Sequence, residues 1–178
     1  QAGYKLTEAT GNTLIGRLAG EQLTTGSYNT AIGYNTMGDA TVTGASNTAV
    51  GNSVMVAVTS GAGNTALGEA CAAALTTGSN NVAIGRSAMS NAAVTGNYNI
   101  AIGYEAMRAV TSGNENVMIG RDAGHDITTG TQSVSVGHES LTKNQTGQGN
   151  AGVGFQALEA TTGGENIAMG WKAGEANE

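Results

Sequence analysis

Residues 78–89, GSNNVAIGRSAM, and residues 96–107, GNYNIAIGYEAM, are two copies of one pattern, and residues 26–37, GSYNTAIGYNTM, are a third. Aligning the rest of the chain on the Gly that closes each Asn-x-Ala-Ile-Gly block extends the pattern in both directions. The closing glycines are Gly16, Gly33, Gly51, Gly68, Gly85, Gly103, Gly120, Gly137, Gly154 and Gly170, separated by 16 to 18 residues. A fixed period of this size marks an architecture of stacked units, none of which can bury its apolar side chains alone. The expected fold is all-β, a parallel β-solenoid (a β-roll or β-helix) of ten coils of about 17 residues. A lead-in over residues 1–10 precedes the repeats at 11–174, and residues 175–178 form a tail.

Each column of the alignment has a physical reading. The residue before the closing Gly is aliphatic in all ten copies, from Ile15 and Ile32 to Val153 and Met169. It is assigned to the core. Two residues earlier stand mostly β-branched residues, Thr13, Thr30, Thr48, Thr65, Val82 and Ile100 among them, on the same face of a short strand. Between the two columns the opposite face carries Ala31, Ala49, Ala66, Ala83, Ala101 and Ala168, which tolerates little bulk and is expected to pack on something outside the coil. Four residues before the closing Gly an Asn recurs, with Ser133 the one departure, and a stacked amide ladder is expected there. Seven residues before it a second Gly follows Thr or Ser in nine copies, as in Thr77-Gly78, and reads as a turn with positive φ. A second short strand is expected to return through Met37, Met55, Met89, Met107, Leu141 and Leu158.

Composition restricts the interior. With 29 Gly, no Pro, one Phe and one Trp in 178 residues, the core must be narrow and filled by Ala, Val, Ile, Leu and Met. At about 4.8 Å per coil the rod is on the order of 48 Å long. A slim solenoid with so little apolar bulk is marginal alone, so the Ala faces of three chains are expected to pack together in a homotrimer. The net charge of −6, with seven Lys and Arg scattered along the chain, argues against a nucleic-acid partner. No run of 18 apolar residues suggests a membrane span, and the opening at Gln1 reads as a processed product or a fragment. Cys71, the single cysteine, is expected to be buried in an Ala column.

The blocks GSYNTAIGYNTM, GSNNVAIGRSAM and GNYNIAIGYEAM resemble the N-T-A-I-G-Y-x-A-L repeats of phage tail-fibre and tailspike shafts. They are also similar to the S-V-A-I-G-x-x-A-x-A repeats in the heads of trimeric autotransporter adhesins, whose repeats are shorter. The resemblance spans residues 11–173 and implies a trimeric parallel β-roll or β-helix on a virion or cell surface. The self-cleaving C-terminal chaperone domain of many such fibres does not occur in this sequence, which fits a matured fibre or a fragment.

The expected function is therefore a rigid fibre for host attachment. Its partners would be further copies of the chain, other fibre or baseplate proteins, and a host polysaccharide or receptor. Neither a cofactor nor catalysis is expected. Candidate receptor contacts are Tyr28 and Tyr98 in one column, and Tyr34, Tyr104, Phe155 and Trp171 in the variable column after the closing Gly. The blander reading of these rings is packing between subunits.

Other motifs are weaker. Gly147, Gly149 and Gly152 match a dinucleotide fingerprint, but no helix pattern follows. His125 and His138 fall in different columns without paired Cys, so no metal site is expected. Glu105, Asp122 and Glu139 share a position in consecutive coils and read as a solvated acidic strip, with no second carboxylate across a cleft for glycoside hydrolysis. Asn144-Gln145-Thr146 is the one glycosylation sequon. Alternatives to the phage fibre are a bacterial trimeric surface adhesin, an ice-binding solenoid, suggested by the Thr columns, and a polysaccharide depolymerase built on a fibre.

Overall fold

The computed structural model of the chain describes residues 1–174, so the tail expected at 175–178 lies outside the described residues. Ten three-residue strands follow one another: β1 Thr13–Ile15, β2 Thr30–Ile32, β3 Thr48–Val50, β4 Thr65–Leu67, β5 Val82–Ile84, β6 Ile100–Ile102, β7 Val117–Ile119, β8 Val134–Val136, β9 Ala151–Val153 and β10 Ile167–Met169. They form one parallel sheet in chain order. The pairing register, Thr30 with Thr48, Ala31 with Ala49 and Ile32 with Val50, is the register of the sequence columns. No helix occurs among the described residues. The chain is a parallel β-solenoid with one strand per coil. Ahead of it, Gly3 and Thr7 donate backbone hydrogen bonds to Ala19 and Thr24 of the first coil.

The faces of the strand are the reverse of the expected ones. The middle residue points inward, and Ala31, Ala49, Ala66 and Ala101 are completely buried within their own chain. Residues on either side point outward, and Ile15, Leu67 and Ile119 are among the exposed large hydrophobics. The cause is width. Across the coil from each inward residue stands a side chain of the return segment, and the two together must fill one slot. Opposite Ala31, Ala83 and Ala101 the return segment carries the buried Met37, Met89 and Met107. In β7 the inward residue is the larger Met118, and the return position is Gly124. A Cβ on Gly124 would lie 2.7 Å from the Met118 Sδ. Leu14 and Gly20 make the same exchange in the first coil, where that Cβ would lie 2.7 Å from a Leu14 methyl.

Among the described residues no second strand forms, and the expected one leaves only the isolated parallel bridges Leu23 to Val42 and Leu75 to Val94. The return segment instead contains two left-handed residues per coil, at the second and fourth positions after the closing Gly, such as Asn35 (φ 49°) with Met37 (φ 52°), and Glu105 (φ 53°) with Met107 (φ 49°). Its backbone is still paired from coil to coil, with Met37 N–H donating to Val54 C=O at 3.0 Å. The left-handed region is closed to β-branched side chains. Accordingly these two positions hold Leu, Asn, Ser, Ala, Glu, Asp, Gln, Lys, Met and Gly, and never Val, Ile or Thr.

The two glycine columns also differ from each other. The closing glycines have φ between 124° and 146°, where a side chain is strained. The Thr-Gly glycines do not have positive φ; they are glycine because a Cβ on Gly26 or Gly44 would run into the carbonyl oxygen of Gly44 or Gly61 in the next coil. Stacking is so close there that backbone touches backbone.

The amide ladder forms as expected. Asn47, Asn64, Asn81 and Asn99 are buried, and each Oδ1 accepts from the next side-chain amide, with Asn64 Nδ2 to Asn47 Oδ1 at 3.0 Å and Asn99 Nδ2 to Asn81 Oδ1 at 3.1 Å. Ser133 interrupts the column but keeps the acceptor role, its Oγ taking the Asn150 N–H at 3.2 Å. The same coil carries polar groups inside beside the buried Leu141. Ser135, Ser140 and Asn144 are buried there, and the apolar cluster that begins at Ala19 ends at Ile127. Burial removes Asn144 as a glycosylation acceptor in the folded chain.

The Met118 and Gly124 exchange is testable as a cycle. Met118→Ala leaves a void and is expected to cost about 3 kcal/mol, and Gly124→Met alone forces two side chains into one slot. The double substitution recreates the Ala and Met pair of the preceding coil and is expected to recover all but about 1 kcal/mol in urea unfolding.

Candidate functional site

Three surfaces carry the side chains from which function can be read. The first is the outer face of the sheet. Every strand sends two residues to it, so two unbroken columns run the length of the rod. One holds Thr13, Thr30, Thr48 and Thr65, then turns apolar from Val82 and Ile100 onward; the other is aliphatic throughout. In β8 both outward residues, Val134 and Val136, are about two-fifths exposed, at 40% and 37%.

The second surface is the rim where the chain leaves the strand. Side chains of the variable column stack here at the coil spacing, and in two stretches, Arg17 with Tyr34 and Arg86 with Tyr104 and Arg121, aromatic alternates with cationic. The Arg17 guanidinium lies 5.5 Å from the Tyr34 ring, and Arg86 and Arg121, one from each neighbouring coil, lie 5.9 and 6.0 Å from the Tyr104 ring. Cation–π contacts of this kind stabilise the column modestly. Further along, His138 tilts against Phe155 with centroids 5.3 Å apart, and Phe155 stacks on Trp171 at 6.1 Å with planes 10° apart. Among the six aromatic candidates, the structure thus brings Phe155 and Trp171 together. Tyr34 and Tyr104 are placed separately, each against arginine.

Tyr28 and Tyr98 are at the opposite rim, where the chain enters the strand, and both are left-handed, with φ of 60° and 59°. They lie four coils apart, roughly 19 Å at the strand spacing, and form no common patch. Tyr98 instead borders a shallow groove of about 320 Å³ with Asn97, Asn114, Glu115, Thr131 and Gln132. The groove floor is an amide network: Asn97 N–H donates to Asn114 Oδ1 at 2.8 Å, and Gln132 Nε2 to Glu115 Oε2 at 3.0 Å. A ring beside amides and a carboxylate is the kind of lining that fits a sugar's hydroxyls and its apolar face. Column-by-column reading identified the ring but not the groove, because Asn114, Glu115, Thr131 and Gln132 come from two further coils.

The third surface is a cluster of carboxylates and histidines on the return segment. Stacking places Glu105, Asp122 and Glu139 side by side, as their common column requires, and brings both histidines onto them. His125 Nε2 is 3.4 Å from Glu105 Oε2, and His138 Nε2 is 3.4 Å from Glu139 Oε1 and 4.0 Å from Asp122 Oδ2. Glu105 is well compensated. A hydrogen bond from Tyr104 holds its carboxyl below the ordinary range, opposed by partial burial and helped by Arg108 and His125. His125 is engaged on both sides, by Asp126 Oδ1 at 2.6 Å and Arg108 Nη1 at 3.5 Å. The histidines occupy different sequence columns, which is why their meeting with one acidic row was not expected.

Remaining motifs are absorbed by the fold. Gly147 is in a Thr-Gly turn, Gly149 is a left-handed corner (φ 65°), and Gly152 is the buried centre of β9, so the fingerprint opens no helix. Among the described residues no helix is long and apolar enough to cross a membrane. Comparison with family models, with curated proteins and with solved structures finds no match.

Cys71 is buried beside the inner column, its Sγ 3.1 Å from Ala83 C=O, and burial pushes its pKa up to about 12 from an ordinary 9.0. The folded pKa is the higher one, so the stability linked to this proton is complete below pH 9.0 and is lost as pH rises towards about 12. Cys71→Ala, which fits a column already holding Ala19 and Ala88, is expected to flatten the loss of unfolding free energy between those pH values. An identical alkaline decline in both proteins would show that the thiolate is not its source.

Proposed function

We propose that the chain is a shaft segment of a phage tail fibre or a comparable surface appendage, three copies forming a rigid rod that carries a host-binding surface. One observation carries this reading: the outer face of the sheet, with its aliphatic column and its largely β-branched one, stays uncovered along the whole rod. A monomer exposing a continuous apolar strip on the order of 48 Å long has an interaction surface without a partner. The Ala columns expected to form the subunit contact are filled from within each coil. The contact is therefore assigned to the face of Ile32, Ile84, Ile102 and Val136 instead. A strip only two residues wide can be buried by three chains around a common axis, their sheets turned inward and their rims outward. This arrangement places Tyr28, Tyr98 and the column ending in Trp171 beside the seams, where a host polysaccharide or receptor would meet them. The rod needs no catalytic step, and other fibre or baseplate proteins are its natural neighbours on a virion or cell surface.

One observation favours a second reading. Thr13, Thr30, Thr48 and Thr65 form a flat outward array of hydroxyls beside methyl groups over four coils, the sort of surface that orders water. From Val82 onward the hydroxyls are gone, so most of the face suits another protein surface better than ice. A thermal-hysteresis assay separates the two.

Sedimentation equilibrium tests the main reading. The expected mass is three times 17.6 kDa at micromolar concentration. Ile102→Glu, in the centre of the outer face, is expected to give folded monomers. A wild-type chain that sediments as a monomer would overturn the shaft reading.

A further inference from the structure

We propose that Asp122, His138 and Glu139 form a binding site for a divalent transition cation of the zinc class. The three side chains come from adjacent coils on the rim of the return segment, and their donor atoms lie within 4.8 Å of one another. Their convergence is built by the backbone. Asp122 and Glu139 hold the same left-handed position in consecutive coils, with φ of 54° and 57°, and Glu139 N–H donates to Arg121 C=O at 3.0 Å, which locks the two coils in register.

An imidazole nitrogen without a hydrogen bond is the central observation. His138 Nε2 is shielded from solvent and has no hydrogen-bond partner among the described residues, although two carboxylate oxygens stand 3.4 and 4.0 Å away. With its proton on Nδ1, the imidazole offers Nε2 as a ligand towards the point that these two oxygens share. Zinc bonds of about 2.0–2.2 Å in tetrahedral geometry set neighbouring donors about 3.3–3.6 Å apart, close to the 3.4 and 4.0 Å that separate His138 Nε2 from the two carboxylate oxygens.

Charge supports the same conclusion. Glu105, Asp122 and Glu139 are three carboxylates in register at the strand spacing, an arrangement that is unfavourable unless compensated. Arg108 and His125 compensate Glu105, and Arg121 Nε lies 3.0 Å from Asp122 Oδ2. Among the described residues the Glu139 carboxylate meets His138 and the neutral Gln156, whose Nε2 donates to its other oxygen, Oε2, at 2.6 Å. That bond braces the carboxylate and leaves Oε1 towards the imidazole, the role an outer-shell partner plays for a metal ligand. Phe155, packed on the His138 ring, fixes its plane.

The neighbouring triad of Glu105, Asp122 and His125 does not qualify. There Arg108 Nη1 stands 3.5 Å from both Glu105 Oε2 and His125 Nε2 and occupies the space between imidazole and carboxylate, whereas in the proposed site the neighbouring cation, Arg121, pairs with Asp122. An imidazole with two carboxylates selects zinc, cobalt or nickel over calcium, which prefers all-oxygen shells. With three protein ligands that are each at most about a third exposed, water completes the coordination.

The test is a calorimetric titration of the full chain, stripped by chelator, with zinc chloride. One ion per chain is expected. Binding should weaken roughly tenfold or more in His138→Ala and in Glu139→Gln, and stay unchanged in His125→Ala. Cobalt added to the stripped protein should give the visible absorption of a four- or five-coordinate ion, and lose it in His138→Ala. All three side chains are on the rim, and circular dichroism checks that each variant is folded. No binding and no cobalt spectrum in the wild type, or binding that survives in both His138→Ala and Glu139→Gln, overturns the site. So does equal loss in His125→Ala, which would move the ion to the other triad.

Discussion

The buried asparagine column is the interaction on which the rest of the molecule depends. A solenoid coil this small turns its backbone sharply, and the polar groups of those turns face inward, away from water. Each Asn answers in two directions: Asn64 Nδ2 donates to Asn47 Oδ1 and to the Gly78 carbonyl one coil on, while its own Oδ1 accepts from the backbone and the amide of Asn81. Three coils are tied by one side chain. Buried polar backbone left unpaired costs about 1–3 kcal/mol per group, so the column is the condition for stacking at the strand spacing. The close backbone contacts and the unbroken outer columns follow from that spacing.

Much of this is written in the order of residues. The ten coils, their register and the amide ladder are legible because each depends on a residue type that recurs at a fixed offset, and Ser133 is visible as the exception. Which face of the strand is inside is not legible in the same way. Ala and Ile alternate with period two whichever points inward, and the apolar bulk of Ile32 or Ile102 argues for the core until the width of the coil is known. What decides the matter is the partner across the coil. The Met118 and Gly124 pair is the trace of it in the sequence, since a large inward residue coincides with a missing side chain six residues later. The absence of Val, Ile and Thr from the left-handed positions of the return segment is a second trace, and it speaks against the strand expected there.

Surface features were less legible than the fold because they are assembled across coils. Tyr28 and Tyr34 are close in sequence yet belong to opposite rims. Tyr98 gains its groove from Asn114 and Gln132 in the two coils beyond it, and His138 meets Asp122 only through stacking. A solenoid converts separations of about one period into contacts, so its sites are read down columns and between neighbouring columns, not along the chain. The proposed division of labour follows: interior columns hold the rod together, the outer sheet face joins chains, and the rims present rings, amides and carboxylates.

Amide hydrogen exchange followed by nuclear magnetic resonance tests the central claim most directly. The backbone N–H groups of Asn47, Asn64, Asn81 and Asn99 belong to corners, yet each donates to the Oδ1 of the preceding Asn at 2.9–3.0 Å. They are predicted to exchange as slowly as the strand amides of Val82 and Ile100. Corner amides that exchange at the rate of open loops while the strands stay protected would contradict the account.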